Sequence, residues 1–461
     1  MRMNLADVAE AMDAVVFGRA ENVEFTGASM DSRTAGMGDL FFCLPGSRAN
    51  GHDFALQALQ AGATGIVAKR RLPAVEAQAP VLVVPDTVEA LGALGRAWRV
   101  QTRARVVGVT GSAGKTTVKE MLAQICSMAA PTCKNYLNRN NQIGLPLSLL
   151  SCTGQEGFWV MEAGISRPGD MEALGRVLVP DLALVINVGP AHLEALGDVQ
   201  GVARAKASLI THVSKGGAAL VNQDCAELWQ AAKELLPEVH GFSMVDAQAE
   251  FFGRRLPDDE SGCTRMELVL HGRHLELCWT RTGAPLLENA LAAAGAAALL
   301  GIDGLMISQG LSGACTPEGR FQVRYWGEWL FIDDTYNANP LSMAAALRRA
   351  REVAGDKPLV CVLGDMLELG RKAAECHREL GRRLARTGCA AVLFHGRHAQ
   401  DVLDGLNDAA WSGRFQVLKS PAALREIWKE VQTDAGVVLF KGSRGGAMET
   451  YLEALCTETA P

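Results

Sequence analysis

The chain has 461 residues, a length that suits about three domains of ordinary size. Lysine and arginine total 45 against 51 aspartates and glutamates, so the net charge of −6 excludes a broadly basic protein that coats nucleic acid. Apolar residues make up 48% and charged residues 21%, which excludes a disordered or collagen-like chain.

The cysteine pattern and the N-terminus bear on location. Twelve cysteines are scattered along the chain, and none lie closer together than Cys126 and Cys133, so zinc-ribbon and CxxC redox motifs are excluded. We interpret them as reduced, mostly buried residues of a cytoplasmic protein.

The N-terminus carries Asp7 and Glu10 and lacks the apolar core of a signal peptide. The most apolar stretch, residues 290–302, is too short to span a bilayer and predicts a buried helix, with no membrane insertion.

Residues 1–103 form the first predicted domain. Strand-like runs at residues 39–44 and 81–84 flank a helical pattern at 54–61, which ends at Gly62. A second helical pattern, at residues 90–101, leads into a basic run that we take as the boundary. This mixture predicts a small α/β domain.

Residues 104–316 form the second predicted domain. Compact apolar runs at residues 105–109, 158–161, 182–186 and 218–221 alternate with helical segments. Such alternation is typical of a parallel sheet with helices on both faces.

Residues 317–461 form the third predicted domain. Its strands are predicted at residues 329–332, 359–363, 390–394 and 437–440, with helices between them at 341–353 and 375–386. This order predicts a second, Rossmann-like doubly wound domain. The dinucleotide fingerprint GxGxxG is missing from it, so the topology does not imply NAD. The fold class is therefore α/β with three domains.

A phosphate-binding loop is the sharpest motif in the sequence. The run 110–117 (TGSAGKTT) follows a strand and precedes a helical pattern, which is the context a P-loop requires. Gly111 and Gly114 allow the loop backbone to turn its N–H groups inward. The N–H groups of Ser112, Ala113 and Thr117 are then available to bind phosphate. Lys115 supplies a charge for the β- and γ-phosphates, and Thr116 supplies a hydroxyl for Mg²⁺. These residues predict binding of ATP.

Candidate metal ligands follow two other strands of the central domain. Glu162 directly follows the run 158–161, and His192 follows the run 182–186 by six residues. The carboxyl ends of parallel strands line the ligand crevice, and a carboxylate is the oxygen ligand that Mg²⁺ prefers. His192 taken alone is equally well explained as a packing histidine. Lys206 taken alone is better explained as a solvated helix lysine.

The chain resembles the Mur ligase family over nearly its whole length. The resemblance is carried by ordered motifs at residues 31–34 (DSRT), 38–46 (GDLFFCLPG), 51–54 (GHDF), 110–117, 140–146 (NNQIGLP), 187–194 (NVGPAHLE), 289–294 (NALAAA), 317–321 (PEGRF), 333–340 (DDTYNANP), 363–370 (LGDMLELG) and 441–444 (KGSR). The last three favour the member that adds a dipeptide. Residues 134–141 are longer than the family's usual Asn-rich run, which leaves open which asparagine is functional.

The resemblance implies an ATP-dependent amide ligase. It implies transfer of the γ-phosphoryl group to the carboxylate of a UDP-N-acetylmuramoyl-tripeptide, followed by attack of D-alanyl-D-alanine on the acyl phosphate. Implied cofactors are ATP, two Mg²⁺ ions and a carbamylated lysine. Implied metal ligands are Thr116, Glu162, His192 and carbamylated Lys206, and Lys115, Lys206 and His192 are implied catalytic residues.

The resemblance also assigns binding residues. It places ATP on residues 111–117 together with Asn289, Arg320 and Asp334. It places the peptide and nucleotide substrates on Asp31, Ser32, Arg33, Asn141, Tyr336, Asn337, Lys441, Ser443 and Arg444. Arg320 and Asp334 belong to the third domain, so their roles imply domain closure during turnover. We expect a monomer.

Three alternatives stay open at this stage. A sibling ligase that adds an amino acid, including the folylpolyglutamate type, would share the P-loop and the domain order. A P-loop phosphotransferase or motor ATPase would make no amide. A nucleotide-binding module would not turn ATP over. The sequence does not indicate whether the third residue of the tripeptide is diaminopimelate or lysine.

Overall fold

The structure is a computed structural model that describes residues 1–19, 22–46, 49–257, 263–280, 282, 286–314, 316–431 and 435–456. Its strands form three large sheets, each drawn from one stretch of the chain, and one small two-stranded sheet. The expected three-part α/β fold is confirmed. The predicted boundaries after residues 103 and 316 stay predictions.

The first stretch forms a five-stranded sheet in the order β2-β7-β6-β5-β4, in which only the β2–β7 pair is antiparallel, and β1 pairs with β3. Its elements are β1 (Met3–Asn4), α1 (Leu5–Ala11), β2 (Val15–Phe17), β3 (Glu24–Phe25), β4 (Gly27–Ser29), β5 (Asp39–Phe42), α2 (Ala55–Ala61), β6 (Gly65–Ala68), α3 (Pro73–Glu76), β7 (Val81–Val83) and α4 (Thr87–Gln101). Asp86 caps α4 by accepting hydrogen bonds from the backbone of Val88 and Glu89.

The second stretch forms a nine-stranded sheet in the order β16-β15-β14-β13-β12-β11-β8-β10-β9. Its elements are β8 (Arg105–Thr110), α5 (Lys115–Ala129), β9 (Thr132–Lys134), α6 (Gly144–Ser151), β10 (Phe158–Glu162), α7 (Asp170–Leu178), β11 (Leu182–Val185), α8 (Leu193–Leu196), α9 (Val199–Ala207), β12 (Ala218–Asn222), α10 (Ala226–Leu235), β13 (His240–Ser243), β14 (Phe251–Leu256), β15 (Thr264–Leu270), β16 (Arg273–Trp279), α11 (Leu287–Leu299) and α12 (Gly304–Ser312).

The third stretch forms a six-stranded sheet in the order β17-β18-β22-β19-β20-β21, parallel except for the β17–β18 pair. Its elements are β17 (Gln322–Trp326), β18 (Trp329–Asp334), α13 (Pro340–Ala354), β19 (Leu359–Gly364), α14 (Ala373–Thr387), β20 (Ala391–His395), α15 (Ala399–Asp408), β21 (Arg414–Val417), α16 (Pro421–Val431), β22 (Gly436–Lys441) and α17 (Glu449–Cys456). Short 3-10 helices lie at Gly51–Phe54, Ser208–His212, Gly370–Lys372 and Arg444–Gly446.

The middle of the central sheet, formed by β8, β10, β11 and β12, is buried on both faces. The strands β8 to β14 are all parallel to one another. The helices α5, α11 and α12 pack on one face of the sheet, around Val107, Val109 and Leu184. The apolar run at residues 290–302 lies mainly in α11, as predicted, and its alanines are buried against this face. Parallel pairing brings the carboxyl ends of β8, β10 and β11 to one edge, which is where the site residues lie.

Two expectations from the sequence need correction. The strands β13 to β16 were not predicted, and β14 to β16 extend the parallel sheet with antiparallel pairs. The reading of all cysteines as reduced is wrong for Cys133 and Cys152, which are disulfide-bonded with their Cα atoms 5.9 Å apart. These two residues are separated by 19 positions, and only the packing of β9 against the end of α6 brings them together. Among the described residues, no helix is long and apolar enough to cross a membrane.

Candidate active site

The P-loop connects β8 to the first turn of α5. Gly114 has a φ of +80°, and a Cβ atom there would lie 2.6 Å from Oδ1 of Asn289, so the turn requires glycine. Lys115 donates from Nζ to the carbonyl of Gly111 at 3.0 Å. Removal from bulk water lowers the pKa of Lys115, and nearby Glu162 partly opposes this shift. The loop therefore holds a cation beside the amino-terminal end of a helix, and Asn289 lies against it.

Asn187 holds the P-loop in place from the neighbouring strand. Its Oδ1 accepts hydrogen bonds from the backbone N–H groups of Ser112 at 3.0 Å and Ala113 at 2.9 Å, and its Nδ2 donates to the carbonyl of Ala113. Asn187 opens the run 187–194 and was not predicted to be a site residue. Its position just after β11, which pairs directly with β8, was the available signal.

Glu162 lies at the carboxyl end of β10, next to the P-loop helix. The hydroxyl of Thr116 donates to Glu162 Oε2 at 2.8 Å, and Asn140 Nδ2 donates to Glu162 Oε1 at 2.6 Å. A hydroxyl and a carboxylate in contact suit Mg²⁺, whose other ligands are commonly phosphate oxygens and water. The described residues contain no cluster of three or more His, Cys, Asp or Glu side chains that would hold a metal alone. The contact of Thr116 with Glu162 fits a metal that binds together with a nucleotide.

Lys206, on α9, is fully buried, and its Nζ has no hydrogen-bond partner. Burial lowers its pKa well below the ordinary lysine value, Lys115 adds to the shift, and Glu162 opposes it. An unpaired ammonium in such a place is costly, so the neutral amine is favoured. A neutral, buried amine near Lys115 and Glu162 is the chemical state that carbamylation of a lysine requires.

Side chains from the third stretch reach the P-loop. Arg320 Nη2 donates to the Thr116 hydroxyl at 3.2 Å, and the Arg320 guanidinium lies 3.7 Å from the centre of the Tyr336 ring. Asn339 Nδ2 donates to the carbonyl of Ser112 at 2.9 Å. The structure therefore brings Lys115, Thr116 and Arg320 together although 204 positions separate Thr116 from Arg320.

His192 also lies where the second and third stretches meet. It adopts a left-handed backbone conformation with a φ of +55°. Its Nδ1 is 2.5 Å from Oε2 of Glu368. The neighbouring His192 lowers the pKa of Glu368. Glu368 lies inside the run 363–370 and was not predicted to be a site residue.

A second cluster forms at the carboxyl ends of β18 and β22. Buried Lys441 donates from Nζ to Asp334 Oδ2 at 2.7 Å and to the carbonyl of Asn337 at 2.9 Å. Burial lowers the pKa of Lys441 and raises the pKa of Asp334, and in both cases their pairing opposes the shift. Ser443 is buried and donates to the carbonyl of Ala338. These polar groups are thus already satisfied by one another.

The remaining predicted substrate residues lie apart from the P-loop contacts. Arg33 donates to both carboxylate oxygens of Asp31, at 2.9 and 2.7 Å, and this lowers the pKa of Asp31 to about 2. Ser32 donates to Gln57. Asn141 accepts hydrogen bonds from the backbone at the start of α6, whereas its neighbour Asn140 contacts Glu162. Arg444 is exposed and pairs with Glu449.

Comparisons with known proteins identify the same family in all three parts of the chain. Family models match residues 24–99 (Mur ligase family, catalytic domain), 109–297 (Mur ligase middle domain) and 319–444 (Mur ligase, glutamate ligase domain). The UDP-N-acetylmuramoyl-tripeptide–D-alanyl-D-alanine ligase of Escherichia coli is 33% identical over 94% of this chain and 94% of its own. The protein of that name from Bacillus subtilis is 30% identical, with 94% coverage of each chain.

Solved structures agree with these matches. A crystal structure of MurF from Acinetobacter baumannii has a TM-score of 0.87 and 32% identity, with 99% of each chain covered. MurF from Thermotoga maritima, solved in complex with ADP, has a TM-score of 0.78 and 29% identity, with 93% of this chain and 96% of its own covered. A folylpolyglutamate synthase from Thermotoga maritima, at 14% identity and a TM-score of 0.58, shares the fold alone.

Proposed function

Because the chain belongs to the Mur ligase family, we infer that it is an ATP-dependent ligase that joins D-alanyl-D-alanine to a UDP-N-acetylmuramoyl-tripeptide in peptidoglycan precursor synthesis. The observation that carries this function is the contact of Arg320 with Thr116 beside Glu162, since it assembles a phosphate site from two separate sheets. Its relatives that bear this ligase name match it over nearly their whole length. The sibling and folylpolyglutamate alternatives are not favoured.

The reaction proceeds through an activated carboxylate. The tripeptide carboxylate oxygen attacks the γ-phosphorus of ATP, the bond to the β-phosphate oxygen breaks, and ADP leaves. The dipeptide amine then attacks the acyl carbon, the C–O bond to phosphate breaks, and the amine loses a proton to phosphate or solvent. Positioning and charge neutralisation dominate such transfers. Lys115 and Arg320 provide fixed cations for the phosphates, and the arginine fork suits bidentate contact.

We propose that Mg²⁺ is held by Thr116 and Glu162 together with the nucleotide phosphates, and that it neutralises their charge. The Thr116–Glu162 contact supports this placement. The proposal further assigns His192 to a second Mg²⁺ site. Closure of the third domain over the nucleotide would exclude water, which would otherwise hydrolyse the acyl phosphate.

We propose that Lys206 is carbamylated. Its neutral amine would attack carbon dioxide, forming an N–C bond and losing a proton to solvent, to leave an anionic carboxylate-like group. Full burial and the unpartnered Nζ support this proposal, because a carbamate would place an anion near the Lys115 cation, where the unmodified neutral amine has no hydrogen-bond partner. The modified side chain would supply an oxygen ligand for the second metal.

We assign the substrates to separate parts of the chain. Residues 1–103, with Asp31, Ser32 and Arg33, would bind the uridine nucleotide, and residues 104–316 would bind ATP, with Asn289 at the adenine. Residues 317–461 would supply Arg320 to the phosphates and Asp334 to the ribose. Their remaining predicted residues, Tyr336, Asn337, Lys441, Ser443 and Arg444, would lie toward the peptide. Asn141 stays a predicted substrate contact, and the protein is proposed to act as a cytoplasmic monomer.

Release of ADP tests this function. It should require both the UDP-N-acetylmuramoyl-tripeptide and D-alanyl-D-alanine, and mass spectrometry should detect the joined product. ADP release that is indifferent to both substrates would instead indicate an ATPase. Nucleotide binding without turnover in the presence of both would indicate a binding module.

A further inference from the structure

The last residue of β10, Glu162, is held by a side chain where its neighbouring strand ends. The backbone pairing of β9 with β10 stops at Lys134, opposite Val160. Beyond that point Asn135 Oδ1 accepts from the Glu162 N–H at 3.0 Å, and Asn135 Nδ2 donates to the Glu162 carbonyl at 3.1 Å. The amide side chain therefore replaces the backbone partner that Glu162 would otherwise lack.

The segment after Asn135 is fastened to the P-loop helix by Lys119. This residue lies one helical turn after Lys115 and is fully buried. Its Nζ donates to the carbonyls of Asn135 at 2.8 Å and Leu137 at 3.3 Å, and lies 2.9 Å from Glu120 Oε1. A buried lysine is unfavourable unless it is paired, and here these three oxygens satisfy it. The reaction chemistry described above makes no use of it.

These contacts form a continuous connection between two proposed Mg²⁺ ligands. Thr116 lies on α5, as does Lys119, and Lys119 holds the segment whose Asn135 fixes the backbone of Glu162. The same segment carries Asn140 to the Glu162 carboxylate. Removing Lys119 or Asn135 would leave Thr116 and Glu162 in place in the sequence. The distance between these two side chains would then be less tightly fixed.

We propose that Lys119 and Asn135 are positioning residues that hold Glu162 in register with Thr116 and so set the affinity of the nucleotide site for its divalent metal. This inference rests on the proposed function, because it takes Thr116 and Glu162 as the metal ligands. Residues that orient metal ligands commonly change metal affinity by about 10- to 100-fold when they are removed.

The test measures metal binding without the ligation reaction. Mn²⁺, observed by electron paramagnetic resonance, is titrated into the full-length protein with saturating ADP. Lys119→Met and Asn135→Ala should each weaken Mn²⁺ binding by about 10-fold. ADP binding measured in EDTA should change less than about 2-fold, because the P-loop itself is intact in both variants.

Arg99→Met is the matched control. Arg99 is also buried, donates to two backbone carbonyls, Leu178 and Val179, and pairs with a carboxylate, Asp181. Its loss should lower the melting temperature and leave Mn²⁺ affinity unchanged. If Lys119→Met does not fold, Asn135→Ala decides the question alone.

Two results would contradict the proposal, and they differ in meaning. Wild-type Mn²⁺ affinity in Asn135→Ala would overturn the positioning roles and leave the ligase function standing. A wild-type protein that binds ADP and no Mn²⁺ would overturn the metal site on which the proposed mechanism itself depends.

Discussion

Lys206 and Lys441 are both buried, yet their surroundings are opposite. Lys441 is paired with Asp334 and also donates to the Asn337 carbonyl, so its positive charge is compensated. Lys206 has no hydrogen-bond partner, and the charges that act on it are another cation, Lys115, and the carboxylate of Glu162. The comparison teaches that burial alone does not define a lysine's role. We propose that Lys441 stays charged beside its partner, whereas Lys206, which has none, is the lysine that is modified.

The largest expected effect is on stability and follows from Lys441. Lys441→Met leaves the Asp334 carboxylate buried without its cation, which should reduce the free energy of unfolding by about 3–5 kcal/mol. Denaturant unfolding measures this loss. The double variant Lys441→Met/Asp334→Leu should regain most of it, since no buried charge is left unpaired. A single variant as stable as the wild type would remove the distinction between the two lysines.

The second effect is on activity and follows from Lys206. Lys206→Ala should lower kcat by about 100-fold or more, because it removes a proposed ligand of the second metal, which would neutralise charge on the transferred phosphoryl group. Bicarbonate should reactivate wild-type protein that has been depleted of carbon dioxide. It should not reactivate Lys206→Ala, which has no amine to modify. Full activity of Lys206→Ala would refute the carbamate assignment.

The third effect concerns pH in buffers depleted of carbon dioxide. The folded-state pKa of Lys206 is lowered, so below the ordinary lysine pKa the unfolded chain binds a proton that the folded protein does not. The free energy of unfolding should therefore fall as the pH falls below about 10, with a slope from this group of at most about 1.4 kcal/mol per pH unit. Lys206→Met should flatten this dependence. An unchanged slope would mean that Lys206 titrates normally in the fold.

The smallest effect is expected at Tyr336. Its ring lies against Arg320, which reaches Thr116 of the P-loop from the third stretch of the chain. Tyr336→Phe keeps the ring under the guanidinium and should change kcat/KM by less than about 3-fold. Tyr336→Leu removes the ring and should cost about 0.5–2 kcal/mol in transition-state binding, read from kcat/KM. Equal losses in both variants would assign the effect to the hydroxyl instead of the stacking.

Sequence alone predicted those parts of the site in which a residue's role follows from its immediate neighbours in the chain. The P-loop was predictable because glycines, lysine and threonine act within one turn between β8 and α5. Glu162 was predictable because it ends an apolar strand. Arg320 came only from the family resemblance, since no local pattern connects it with Thr116.

The contacts that were not predicted depend on packing between distant segments. Asn135 and Lys119 act through backbone groups of other elements, and the run 134–141 offers several equivalent asparagines. The disulfide depends on how α6 returns to β9. The strand β15 did carry a signal in the sequence, because Met266, Leu268 and Leu270 alternate with Arg265 and Glu267, and this period of two is typical of a strand.

Carbon-13 NMR tests the central claim, that the unpaired lysine is chemically modified. Wild-type protein equilibrated with ¹³C-bicarbonate should show a carbamate resonance, which Lys206→Ala should lack. A variant of an exposed lysine, Lys215→Ala, should retain that resonance. A wild-type spectrum without a carbamate signal, or a signal that persists in Lys206→Ala, would contradict the account.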